Sequence, residues 1–294
     1  MEFLLSAVIN GILMGSVYGV TAVGLTLIFG VMKVINFAHG SFLMVSMFAS
    51  YFLFSLTGVN PYLGLIVVVP FCFAFGYFSQ AFLIKPIFKM EKGVREPISV
   101  LLITTGFMMI LDNLALLFFG ADIKSVHTRY WGASYELGPV LVSVPRLYAF
   151  FGALIGSGAF FIFLRKTRVG RAIRATGQDR NAAGLMGINV YQIYNIAFAL
   201  GIAMTGLAGG LLVPFFYIHP SVGFSFTMRA FIIVILGGLG SIPGAILGGI
   251  LVALIESVGA QFIQVTWTAT ISYIIFIIVL FFKPEGILGF KGEW

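Results

Sequence analysis

Five stretches of this chain carry no charged side chain: residues 3–32, 34–84, 181–228, 230–255 and 257–282. A helix needs about 20 apolar residues to cross a bilayer, and a strand about 10 of alternating character. The stretches are long and do not alternate, so they predict helices. Of the 294 residues, 60% are hydrophobic and only 9% are charged. A soluble domain is nearer about 25% charged, so a water-soluble domain and a disordered chain are both excluded. The expected fold is all-α. It is a polytopic membrane helical bundle of eight to nine spans, some broken or re-entrant, in a single transmembrane domain over residues 1–294.

Hydropathy divides the chain into segments at 6–31, 40–57, 62–84, 97–119, 146–164, 191–217, 226–240, 243–260 and 268–283. The pair at 226–240 and 243–260 is short and is interrupted by Gly240-Ser241-Ile242-Pro243-Gly244. It reads as broken or re-entrant helix. The opening Met1-Glu2-Phe3-Leu4-Leu5 lacks the basic flank of a signal peptide, so the first helix is expected to be retained.

Charge predicts orientation. With the amino terminus outside and nine crossings, Lys33, Lys85, Lys89, Lys92, Arg95, Arg165, Lys166, Arg168, Arg171, Arg174, Arg180, Lys283 and Lys291 fall inside. Only Lys124, Arg129, Arg146 and Arg229 fall outside. Cytoplasmic loops are enriched in Lys and Arg, which favours this arrangement, with the carboxyl terminus cytoplasmic. Attraction to membrane lipid accounts for the net charge of +7, and no nucleic acid is needed.

Several chemistries lack their residues. Gly-Lys occurs nowhere, so no Walker A loop exists. His39, His127 and His219 lie far apart without a carboxylate at ligand spacing, and the single Cys72 excludes a disulfide framework. No metal, cofactor or catalytic residue is expected. Ser41 follows His39 closely, but no acid is near in sequence to orient the imidazole as a base.

Small residues recur at helical spacing: Gly11, Gly15 and Gly19; Gly240, Gly244 and Gly248; and Gly201, Thr205 and Gly209. Lipid gives no hydrophobic drive for helix association, so such faces supply close packing. Two readings stay open, plain bundle packing and thin helices that rock around a pathway. Asp112-Asn113 and Glu256 are polar sites within apolar segments. An acid at mid-bilayer costs about 2.5–3.5 kcal/mol and should face protein or water. Asp112 and Asn113 are candidates for the solute pathway or for a buried structural bond. Glu256 lies nearer the outer surface. With no evident basic partner, the two acids make a poor proton relay. Asn36-Phe37-Ala38-His39-Gly40-Ser41 reads as a cytoplasmic corner between the first two helices. Asn36 and His39 are further pathway candidates, and His39 is also suited to a structural hydrogen bond.

The inner loop, residues 165–190, runs from six basic residues to Asp179 and then Asn181-Ala182-Ala183-Gly184-Leu185-Met186-Gly187-Ile188-Asn189. Asp179 is placed to cap a short helix, and Gly187 and Asn189 to terminate it. Such a helix suits docking into a groove of a soluble motor, or resting on the membrane surface.

At these residues the sequence resembles the permease of branched-chain amino acid ATP-binding-cassette importers, over nearly the whole chain. The resemblance rests on Gly24-Leu25-Thr26-Leu27-Ile28-Phe29-Gly30, Asn36-Phe37-Ala38-His39-Gly40 and Gly184-Leu185-Met186-Gly187-Ile188-Asn189. It extends to Gly237-Gly238-Leu239-Gly240-Ser241-Ile242-Pro243-Gly244-Ala245 and the tail Lys283-Pro284-Glu285-Gly286. Urea and short-chain amide permeases share much of this pattern. The resemblance implies a bacterial inner-membrane subunit that forms half of a translocation pathway and is not itself an enzyme. Its implied partners are a second, related permease, two ATPase subunits and an extracytoplasmic substrate-binding protein. Asp179, Ala182, Ala183, Gly184, Leu185, Met186, Gly187 and Ile188 would then couple to the ATPase. An ion-coupled secondary transporter and a passive channel for a small polar solute are the rival readings.

Overall fold

A computed structural model describes residues 2–90, 98–137, 140–283 and 285–289. Lys92, Arg95 and Lys291 of the charge count, and Pro284 of the tail motif, lie outside the described residues. The helices are α1 (Glu2–Met32), α2 (His39–Thr57), α3 (Pro61–Ser79), α4 (Lys85–Met90), α5 (Ile98–Phe119), α6 (Val144–Lys166), α7 (Arg168–Gln178), α8 (Arg180–Leu185), α9 (Val190–Leu212), α10 (Val222–Gly237), α11 (Ile242–Gly259) and α12 (Val265–Phe282). A π-helical stretch, Gln80–Ile84, joins α3 to α4. Strands β1 (Ser134–Leu137) and β2 (Val140–Ser143) form an antiparallel hairpin before α6. Among the described residues, seven helices are long and apolar enough to cross a membrane, and two shorter apolar helices accompany them. The expected polytopic helical bundle is the observed fold.

Burial follows position in the bundle. From Gly15 to Ile28 every α1 residue is buried, and α9 is buried along most of its length. These two helices form the centre. Around them, α5 exposes Leu102, Leu117 and Phe118, α6 exposes Ile155 and Ile162, and α12 exposes Ile277 and Phe281. A helix that is apolar on its outer face is built for lipid.

Small residues set the closest contacts. A Cβ at Gly11 or Gly19 would stand 3.0 Å from Leu254 Cα or Ile246 Cα, so α1 and α11 run antiparallel with their backbones nearly touching. Gly249 gives the matching surface on α11, against Gly15 and Gly19. Gly244 and Gly248 pack on α10, at Gly237 and Ile233. Gly240 belongs to neither helix. It stands in the turn before α11 at φ +84°, a left-handed conformation that suits glycine, so the expected three-residue face is a two-residue face plus a hinge.

The sequence reads the stretch between α1 and α2 as a corner between two helices, and it is a corner, but an enclosed one: Asn36, Ala38, His39, Gly40 and Ser41 are all buried. Lys33, at φ +55°, ends α1, and the chain doubles back beside it. The His39 ring reaches the Thr21 carbonyl, eleven residues before Met32. At 1.5 Å per residue this is about 16 Å along the helix. Helix α2 therefore begins near mid-bundle.

Candidate functional site

Irregular backbone at membrane depth must be satisfied by protein. At the corner, threonines do this. Thr104 Oγ1 of α5 accepts from the Phe37 N–H at 3.4 Å, and Thr227 Oγ1 of α10 accepts from the Gly40 N–H at 2.9 Å. Asn36 Oδ1 accepts from the Ala38 N–H at 3.1 Å. The first turns of α2 and α10 touch through glycine: a Cβ on Gly40 would collide with the Gly223 carbonyl. Helices α1, α2, α5 and α10 thus meet at one short segment, and α9 joins them through His39.

His39 ties three of them. Its Nε2 lies 2.9 Å from the Thr21 carbonyl and 3.0 Å from Thr205 Oγ1. A carbonyl only accepts, so Nε2 carries the proton. The Thr205 hydroxyl accepts from the ring and donates to the Gly201 carbonyl at 3.0 Å. Both Nδ1 of His39 and Nδ2 of Asn36 are buried without a partner among the described residues. Asn36 borders a cavity of about 10 Å³ with Ser79 and Thr104, which is room for one water.

Asp112 reaches the same place from α5. Its Oδ1 accepts from Ser41 Oγ at 2.7 Å, beside the positive end of α2, where a carboxylate is favoured. Three of the four pathway candidates, Asn36, His39 and Asp112, are therefore gathered at one corner. Asn113 is not: it is exposed and donates to the Met109 carbonyl of its own helix. Thr21, Thr104 and Thr227 complete the site. The Gly201-Thr205-Gly209 spacing pointed to Thr205, whereas nothing local in the sequence marked the others.

At the far end of α1 the inner loop forms α7 and α8. Gly170, Ile173 and Thr176 of α7 are buried, while Arg168, Arg171 and Arg174 are exposed. Asp179 Oδ1 accepts from the N–H groups of Asn181 (2.8 Å) and Ala182 (3.1 Å), capping α8. Gly187, at φ +83°, ends it, and the Ile188 N–H returns to the Ala183 carbonyl. Asn189, expected to be a terminator, instead caps the start of α9 through Gln192 N–H. Ala183 is buried and Ile188 partly so, whereas Ala182 and Gly184 are exposed. Leu185 and Met186 are 90% and 83% exposed. An apolar tip stands in the open.

Helix α7 meets the spanning helices through glycine. A Cβ on Gly177 would lie 3.0 Å from the Gly30 carbonyl, and one on Gly30 would lie 3.3 Å from Gly240 Cα. A cavity of about 800 Å³ adjoins this stack, lined by Thr26, Leu164, Arg165, Ile173, Arg174 and Pro243 among others.

The histidines stay apart. His127 packs on Trp131, and His219 lies beside Ser221, where burial holds its ring below the usual imidazole range. Glu256 does have a basic partner, contrary to expectation: Arg229, which stands two turns inside α10. Arg229 is the only charge between residues 181 and 255. That isolation was the available signal.

Residues 7–280 match the family described as branched-chain amino acid transport system, permease component. The chain is 29% identical to the LivH permease of the high-affinity branched-chain amino acid transport system of Escherichia coli K12, over 98% of this chain and 96% of that protein. It is 30% identical to BraD of Pseudomonas aeruginosa, over 97% and 95%. With a probable LivH of Methanocaldococcus jannaschii it shares 30% over 91% and 87%. No solved structure matches the chain.

Proposed function

The chain belongs to the branched-chain amino acid transport permease family, and from that membership we infer that it is the membrane subunit of an ATP-driven importer. Its substrates are branched-chain or closely related amino acids. The observation that carries this reading is the extent of the match, which runs from α1 into α12. The chain acts as one permease domain and supplies half of the pathway. A second permease supplies the other half, two ATPase subunits hydrolyse ATP, and a binding protein delivers the substrate.

The amino terminus lies outside and the α7–α8 end is cytoplasmic, in keeping with thirteen of the 17 basic residues. Helix α8 docks on an ATPase through Leu185 and Met186. Movement passes from α7 to Gly30 and Gly240 by backbone contact. Such contact transmits displacement because no flexible side chain lies between the surfaces. The corner of Asn36, His39 and Asp112 is the fixed point about which the bundle tilts.

The test is uptake in proteoliposomes holding this chain, its partner permease and the ATPases. Leucine delivered by the binding protein should accumulate with ATP on the α8 side and no ion gradient. Accumulation driven by an imposed ion gradient without ATP would replace this reading with secondary transport, and downhill flux alone would replace it with a channel.

A further inference from the structure

Beside the corner, on the side toward the β-hairpin, three helices bring one polar group each to a common point: Tyr18 lies about one turn before Thr21, and Arg229 follows Thr227 by two residues. Arg229 Nε of α10 donates to Glu256 Oε1 of α11 at 3.0 Å and to Oε2 at 3.4 Å. Tyr18 Oη of α1 donates to the same Oε2 at 3.2 Å. The guanidinium carbon lies 5.7 Å from the Tyr18 ring centroid and 5.8 Å from that of Phe226. Phe216 packs edge-on against Phe226 at 5.4 Å. The contact of Gly11 with Leu254 and the bond from Ser257 Oγ to the Ala7 carbonyl fix Glu256 near the outer end of α1.

Stability alone does not account for this pair. A buried ion pair is commonly no more stabilising than apolar residues of the same volume, and α10 and α11 already pack through glycine. The pair is also not sealed: the side chains are 22% and 13% exposed. Neither Nη atom of Arg229 has a hydrogen-bond partner among the described residues. A guanidinium with both Nη groups free is shaped to take a carboxylate.

Resting on the importer reading, we propose that Arg229 and Glu256 are the outer contact for the substrate's charged groups. The substrate carboxylate binds Arg229 and its ammonium binds Glu256, while the partly exposed Phe216 offers apolar surface to the side chain. A zwitterion opens the pair without leaving either protein charge unpaired, which is the costly state in low dielectric. A solute lacking one of the two charges leaves Arg229 or Glu256 alone. The site therefore selects for the α-amino acid headgroup and not for one particular side chain.

The experiment uses the assembled transporter with its binding protein. R229Q/E256Q should co-purify with its partner subunits in wild-type ratio, and leucine uptake at saturating binding protein should fall at least tenfold. Wild-type uptake by the assembled double variant would overturn the proposal. A260C, one turn beyond Glu256 at the end of α11 and partly exposed, leaves Arg229 and Glu256 in place and gives a measurement independent of uptake, since native Cys72 is buried. A charged, membrane-impermeant thiol reagent should modify A260C from the hairpin side, and leucine with binding protein should slow that reaction. No reaction, or no protection, would overturn the proposal even where the double variant fails to assemble. Failure of the wild-type complex to move leucine with ATP would instead refute the importer reading.

Discussion

Ser41 and Asp112 are joined over 2.7 Å although 71 residues separate them, and the bond ties the first turn of α2 to the middle of α5. Ser41 is fully buried, so it depends on this acceptor. Asp112→Asn keeps an acceptor and removes the charge. The asparagine variant should insert, assemble and transport nearly as wild type. Asp112→Leu removes the acceptor and should destabilise the complex by about 1–3 kcal/mol. Thermal unfolding of the purified complexes separates the two, and a stable asparagine variant without transport would assign the charge to the pathway.

Orientation is tested by single cysteines at exposed sites. Thr176 lies in the inner loop but is only 2% exposed, so Leu185 is the better position there. L185C and E136C should label from opposite sides of the membrane with an impermeant reagent. Labelling of both from one side would reverse or reject the assigned topology.

Coupling is tested at Gly184. It faces open space, with Val190 Cγ2 at 4.0 Å as the nearest atom to an added Cβ. Gly184→Trp therefore leaves the bundle intact and should weaken association with the ATPase by roughly tenfold, about 1.4 kcal/mol. A helix that merely rests on lipid would accept the Trp, because Trp favours the interface. Co-purification of the ATPase at wild-type level, with transport intact, would reject docking through α8.

Packing is tested at Gly244. It meets Gly237 within the same chain, so Gly244→Leu should impair the fold itself and not only subunit assembly. The expected loss is about 1–3 kcal/mol or more, from forcing packed backbones apart. Gly106 has no atom near an added Cβ, and Gly106→Leu should leave expression and melting temperature unchanged.

The spans were legible because hydropathy reads length. The segment expected at 97–119 is α5 at Ile98–Phe119, and that at 243–260 is α11 at Ile242–Gly259. The α8 cap was legible for the same local reason, since Asp179 acts on the N–H groups two and three residues ahead. The depth of the corner was not. His39 is held by Thr21 and Thr205, and Gly40 by Thr227, contacts that span up to 187 residues and leave no local signature. The π-helical stretch Gln80–Ile84 was likewise hidden, because beyond Gln80 its residues are as apolar as the helix it follows.

The buried corner also orders events during biosynthesis. Thr205 and Thr227 stand 166 and 187 residues beyond the groups they satisfy. When α1 and α2 first enter the membrane, Thr21 is already present, but Thr205 and Thr227, which complete the hold on His39 and Gly40, have not been translated. Lys33 can sit at the surface from the start, but the segment behind it has reason to sink inward only once α9 and α10 arrive. A nascent chain arrested before residue 205 should therefore keep the corner in water, open to protease. The same segment should become resistant only after residue 227 has left the ribosome and entered the bilayer.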